Sequence, residues 1–165
     1  MADAASAEDE AGDADGRPGP TIVVGWDGSD AARGALRTAT RLARDGRVIV
    51  VHAHEAAAPH VTSRWRELLQ ADGARRSLLL LAEIPAASDA DLELVRIEAR
   101  SLDGPPADAL LRTAREDGAD AIAVGSRGLG AGPGAVGSVS AALLASTDRP
   151  VLVVPPAAAH PTPGA

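Results

Sequence analysis

Five short apolar runs, alternating with stretches of helical spacing, confine this chain to one kind of architecture. The runs are residues 21–26 (TIVVGW), 47–53 (RVIVVHA), 92–99 (LELVRIEA), 119–125 (ADAIAVG) and 150–154 (PVLVV). The first, second and last are almost wholly apolar, as strands covered on both faces must be. The third alternates. Leu92, Leu94, Arg96 and Glu98 share one side, and Glu93, Val95, Ile97 and Ala99 the other, a pattern that suits a sheet edge.

The intervening stretches carry helix signals. Ser29 is a good N-cap after the turn Asp27-Gly28, with Asp30 well placed in the first turn. Ala32, Ala35, Leu36, Ala39, Leu42 and Ala43 then recur on one face, opposite Arg33, Arg37, Arg41 and Arg44. A second helix is expected over 62–83, stopped before Pro85. A third starts at Pro105-Pro106, turns Ala107, Leu110, Leu111 and Ala114 inward and stops at Gly118. A fourth begins near Ser138 and runs through Leu143 and Leu144. Strands and helices in this order predict a doubly wound α/β domain over residues 20–156. Its five-stranded, mainly parallel sheet has helices on both faces and right-handed crossovers.

Composition narrows the chemistry. The 165 residues suffice for one domain with a real core. Phe and Tyr are absent and Trp26 and Trp65 are the only aromatics, so Val, Leu, Ile and Ala must pack it. Without Cys there are no disulfides, thiol nucleophiles or thiolate metal sites. All 16 basic residues are Arg, which removes a phosphate-loop Lys and Schiff-base chemistry. The net charge of −7 is uneven: residues 1–19 hold six acids against Arg17, a local −5 that leaves −2 for the rest. Residues 1–19 read as a disordered acidic tail and 157–165 as a flexible Pro- and Ala-rich end. The near-neutral body offers no basic stripe for nucleic acid. No run approaches the ~18 apolar residues of a membrane span, and the acidic start does not resemble a signal peptide. A cytoplasmic location is expected.

The most informative segment is 124–140, VGSRGLGAGPGAVGSVS, between the fourth strand and the fourth helix. Six glycines fall between Gly125 and Gly137. Such a loop lets backbone N–H groups approach a ligand and leads into a helix N-terminus, where free amides and the helix dipole favour an anion such as phosphate. It also leaves the carboxyl end of a strand, where ligands sit in open α/β sheets. The competing reading is a flexible Gly-rich loop. A G-x-G-x-x-G match at Gly132, Gly134 and Gly137 does not open the first βαβ unit, and Pro155-Pro156 stand where a ribose-binding acid would be.

Several separated blocks, in order, resemble the universal stress protein family: TIVVGWDGSD, VHA, DGADAIAVGSRG, GSVSAALL and RPVLVV. The resemblance spans residues 20–156. It implies strand order 3-2-1-4-5, a homodimer formed through the last strand, and, in one branch, ATP held through G-x-x-G, nine residues, then G-[ST]. Here Gly125 and Gly128 supply the first part and Gly137-Ser138 the last, across a spacer of eight residues, 129–136. That spacer contains Pro133 and no basic residue. Carried over, the resemblance places Asp27 at the ribose or adenine and the Ala53 backbone at adenine. Gly125 and Gly128 then line the ribose and phosphates, and Gly137, Ser138, Val139 and Ser140 hold the phosphate tail, with Mg accompanying ATP.

The residues themselves keep alternatives open. Asp27 is either a ligand contact or the cap of the following turn; with Ser29 as helix cap, ligand contact is the reading taken. Arg127 either neutralises phosphate or is solvated. Trp26 either stacks on a base or fills the core, and core packing is taken. His52 and His54 share one strand face, with His60 beyond, but without a carboxylate-rich partner they read as packing or surface residues rather than a metal pair. Glu67, Asp72, Asp89 and Asp91 read as solvated charges. The resemblance implies ATP binding in a stress response, with nucleotide state and dimer contacts signalling to a partner; no base, Lys or metal-ligand cluster converges on the loop, so catalysis is not expected. The alternative, favoured by the short spacer, is a nucleotide-free dimeric interaction module of the same fold.

Overall fold

A computed structural model describes residues 19–54, 73, 75, 78–84, 95–127 and 136–156. Apart from Gly19, whose amide donates to the Asp45 carbonyl at 3.2 Å, the expected acidic and C-terminal tails lie outside the described residues, as does most of the helix expected over 62–83; residues 78–81 of it are helical. The elements are β1 (Thr21–Gly25), α1 (Asp30–Leu42), β2 (Arg47–His54), β3 (Arg96–Asp103), α2 (Pro106–Glu116), β4 (Ala121–Gly125), α3 (Ser138–Ser146) and β5 (Val151–Val154). The five strands form one parallel sheet in the order β3-β2-β1-β4-β5, as expected.

Strand alternation divides the core in two. Ile22, Val24, Val48 and Val50 face α1, which covers them with Ala32, Ala35, Leu36, Ala39 and Ala43. Val23, Ile49, Val51, Ile122 and Val124 face α2 and α3, meeting Leu110, Leu111, Ala114 and Leu143. Complete burial of a side chain such as Leu36 contributes about 1.5–3 kcal/mol before entropy is counted. With no Phe or Tyr, the alanine stripe lets α1 pack close to the sheet. Ser29 caps α1 as expected, its Oγ accepting from the Ala32 amide at 3.2 Å. Leu42, expected inward, is 52 % exposed. It stands at the border of the stripe in the last turn, where Thr40 and Ala43 are the buried residues.

The third strand departs most from expectation. The described strand, Arg96–Asp103, takes in 96–99 of the expected 92–99 and extends four residues further, while 92–94 lie outside the described residues; it pairs residue for residue with β2 from Arg47↔Arg96 to His54↔Asp103. Its second half is polar because its α2-facing side meets ions as well as oil. Arg100 grips the Asp117 carboxylate with both terminal nitrogens, Nη2 to Oδ1 at 2.9 Å. Its Nε donates to Glu98 at 2.7 Å. Arg47 adds a second cation to Asp117 at 3.1 Å. Asp117 follows the last turn of α2, so both guanidiniums also sit where the helix dipole favours positive charge.

The hydrogen bonds from Arg100 hold the Asp117 carboxyl below the usual carboxylate range. A lowered native pKa stabilises the fold fully above the unfolded value near 3.9, and the contribution disappears as pH falls through the native one. Asp117→Asn is therefore expected to cost about 2 kcal/mol at pH 7. Urea unfolding followed by circular dichroism should show the wild-type advantage shrinking below about pH 4. An advantage constant with pH would contradict the role of the ion cluster.

Candidate ligand cleft at the carboxyl edge of the sheet

Strand order reverses between β1 and β4, where the crossovers leave in opposite directions and open a crevice beyond the strands' carboxyl ends. A cavity of about 220 Å³ lies there. Its floor is the ends of β1, β2 and β4, and its walls come from the turn before α1 and the first turns of α2 and α3.

Each wall is fixed by local chemistry. After β1, the Trp26 amide donates to the Val51 carbonyl at 2.9 Å and extends the β1–β2 ladder by one residue. The chain then turns: Asp27 Oδ1 accepts from the Ser29 amide at 3.0 Å, and Gly28 takes a positive φ of 77°. Asp27 thus serves the turn while lining the cavity, so the two readings of it coexist. Trp26 is buried, its Nε1 donating to the Leu80 carbonyl at 2.9 Å and Arg33 lying 5.7 Å from its ring centroid. It occupies the core and still presents a side to the cavity.

The opposite wall is the start of α3. Gly137 is its N-cap and has no side chain to cap with, whereas Ser29 covers a first-turn amide of α1. The first amides of a helix have no intrahelical acceptor, so the α3 first turn presents donors and the positive dipole end. Ser138, Val139 and Ser140 all line the cavity, with Arg127 beside them. The Gly137 amide donates to the Ser126 carbonyl at 2.7 Å, which brings the two ends of segment 127–136 together. Ser140 is 2 % exposed and its Oγ donates to the Gly125 carbonyl at 2.8 Å. Its hydroxyl therefore ties α3 to β4.

Of the sequence-predicted residues, the cavity gathers Asp27, Ala53, Gly125, Arg127, Ser138, Val139 and Ser140. Gly137 stands behind it as the helix cap, and Gly128 lies outside the described residues. The histidines are not a pair in function. His54 Nδ1 meets Asp103 Oδ1 at 2.9 Å on the edge strand, while His52 Nδ1 lies 2.7 Å from the Trp26 carbonyl and His52 lines the cavity. Among the described residues no group of three or more His or carboxylate side chains is disposed to hold a metal ion.

A doubly wound sheet with an anion-favouring cleft at its switch point defines the class, and comparison with known proteins narrows it. The model of the universal stress protein family matches residues 20–155, and the chain belongs to that family. It is 35 % identical over 143 residues to the universal stress protein of the QAH/OAS sulfhydrylase 3′ region of Thermus aquaticus, covering 81 % of this chain and 97 % of that one. A universal stress protein solved in complex with cAMP is 30 % identical, with a TM-score of 0.58 over 84 % of this chain and 98 % of that one. The Archaeoglobus fulgidus protein solved with dAMP is 24 % identical, with a TM-score of 0.55 over 82 % and 97 %.

Gly125 has a second duty that the motif alone does not suggest. A Cβ there would lie 2.7 Å from Ala31 Cβ and 3.0 Å from the Ala31 carbonyl carbon. The start of α1 can rest on the end of β4 only because this position is glycine. Gly125→Ala is expected to destabilise the fold by about 1–3 kcal/mol through overpacking. Thermal unfolding in the absence of ligand checks this, and an unchanged midpoint would contradict the contact.

Proposed function

We propose that this chain binds an adenine nucleotide in the cleft, with the phosphates at the start of α3 and the base toward the end of β2. The observation that carries the reading is the uncapped first turn of α3, facing a cavity that also holds Arg127 and the Asp27 carboxylate. The cAMP complex of a relative 30 % identical to this chain supports a nucleotide as the ligand class. ATP is the specific ligand we infer, with its Mg²⁺ held mainly through phosphate oxygens, as is usual for that ion, and Asp27 the carboxylate at hand. We assign the site no catalytic step. Bound nucleotide and contacts between two copies then convey state to a partner in a cytoplasmic stress response. β5 supports the second half of this reading: it is a short, half-buried edge strand of four apolar residues, with no strand on its outer side among the described residues.

A ligand that binds only the native state stabilises it by RT ln(1 + [L]/Kd), about 2.7 kcal/mol at a hundredfold excess over Kd. Millimolar MgATP is therefore expected to raise the melting midpoint by several degrees. No shift, together with no nucleotide released on denaturing the purified protein, would favour the nucleotide-free interaction module instead. Sedimentation equilibrium tests the dimer; a protein monomeric at high micromolar concentration would remove it.

A further inference from the structure

His52 is the cavity residue that the nucleotide reading leaves without a task. Its Nδ1 is 2.7 Å from the Trp26 carbonyl oxygen. A carbonyl only accepts, so Nδ1 carries the proton, and in the neutral ring Nε2 is then a bare acceptor. Nε2 makes no hydrogen bond to a described residue, nor is it sealed without a partner, and the residue lines the cavity. The fold thus spends one nitrogen to fix which way the other behaves.

The sheet says what Nε2 would meet. From β4, whose end leads toward α3, to β2 is two strand spacings, ~10 Å. An anion at the α3 start therefore directs the rest of a nucleotide across β1 toward the end of β2, where His52 stands beside the Ala53 backbone. A bare ring nitrogen there accepts from an amino group and repels a carbonyl oxygen. We propose that His52, locked with its proton on Nδ1 by the Trp26 carbonyl, accepts from the exocyclic amino group of the base and selects adenine over 6-oxo purines. This rests on the nucleotide reading above.

The test compares ATP with ITP, which carries a 6-oxo purine, by calorimetry on the full chain. Wild type is expected to bind ATP roughly tenfold more tightly, the worth of one hydrogen bond with a mismatched acceptor. His52→Leu should bring the two affinities together, with circular dichroism checking the fold. On wild type itself, ¹⁵N spectra of labelled histidine should show the proton of the neutral ring on Nδ1 and Nε2 bare, with Nε2 shifting on ATP addition and not on ITP addition. Equal wild-type affinities, a His52→Leu variant that keeps the preference, or a proton on Nε2 in the neutral ring would each overturn the assignment while leaving nucleotide binding intact. Binding of neither nucleotide would overturn both.

Discussion

The contact on which this molecule depends is the near-touching of α1 and the end of β4, where Gly125 leaves no side chain between the strand and Ala31. It draws an alanine-faced helix onto a sheet of Val and Ile, and that close approach lets a core without Phe or Tyr be filled. It also sets the position of the turn before α1. Asp27, Gly28 and Ser29 are suspended between β1 and a helix that cannot shift, so the carboxylate and the cleft beneath it are positioned by core packing.

The two ends of the sheet are built on different physics. At the amino edge, charges neutralise one another: Arg47, Glu98, Arg100 and Asp117 form one cluster that fastens the edge strand to α2. At the carboxyl edge, polar groups are left available. The α3 first turn has no side-chain cap, and His52 offers a nitrogen with no partner among the described residues. Polar groups within the fold normally find partners. Among the described residues, this asymmetry points to the same end of the sheet as the proposed site.

How much of this the sequence discloses follows from the range of the interactions involved. The central strands and α1 were legible because burial on both faces, or along one stripe, imposes its period locally. The glycine segment and Asp27 were legible because anion sites and strand-end carboxylates have short-range signatures. The second half of β3 escapes the pattern because its partner across the α2-facing side is an ion, Asp117, 17 residues from Arg100 and 70 from Arg47, and pattern cannot reveal such pairs. His52 reads as a packing or surface residue because its tautomer is set by the Trp26 carbonyl, 26 positions away. Gly125 was found for one reason and matters for two, since the crowding by Ala31 exists only in three dimensions.

The central claim is that a nucleotide lies across the carboxyl edge, from the start of α3 to the end of β2. A two-dimensional ¹H–¹⁵N titration of the labelled protein with MgATP tests it most directly. Saturable shifts are expected at the amides of Asp27, His52, Ala53, Arg127 and Ser138 to Ser140, with Arg47 and Asp117 at the opposite edge unmoved. Shifts concentrated at that opposite edge, or none that saturate at millimolar nucleotide, would contradict it.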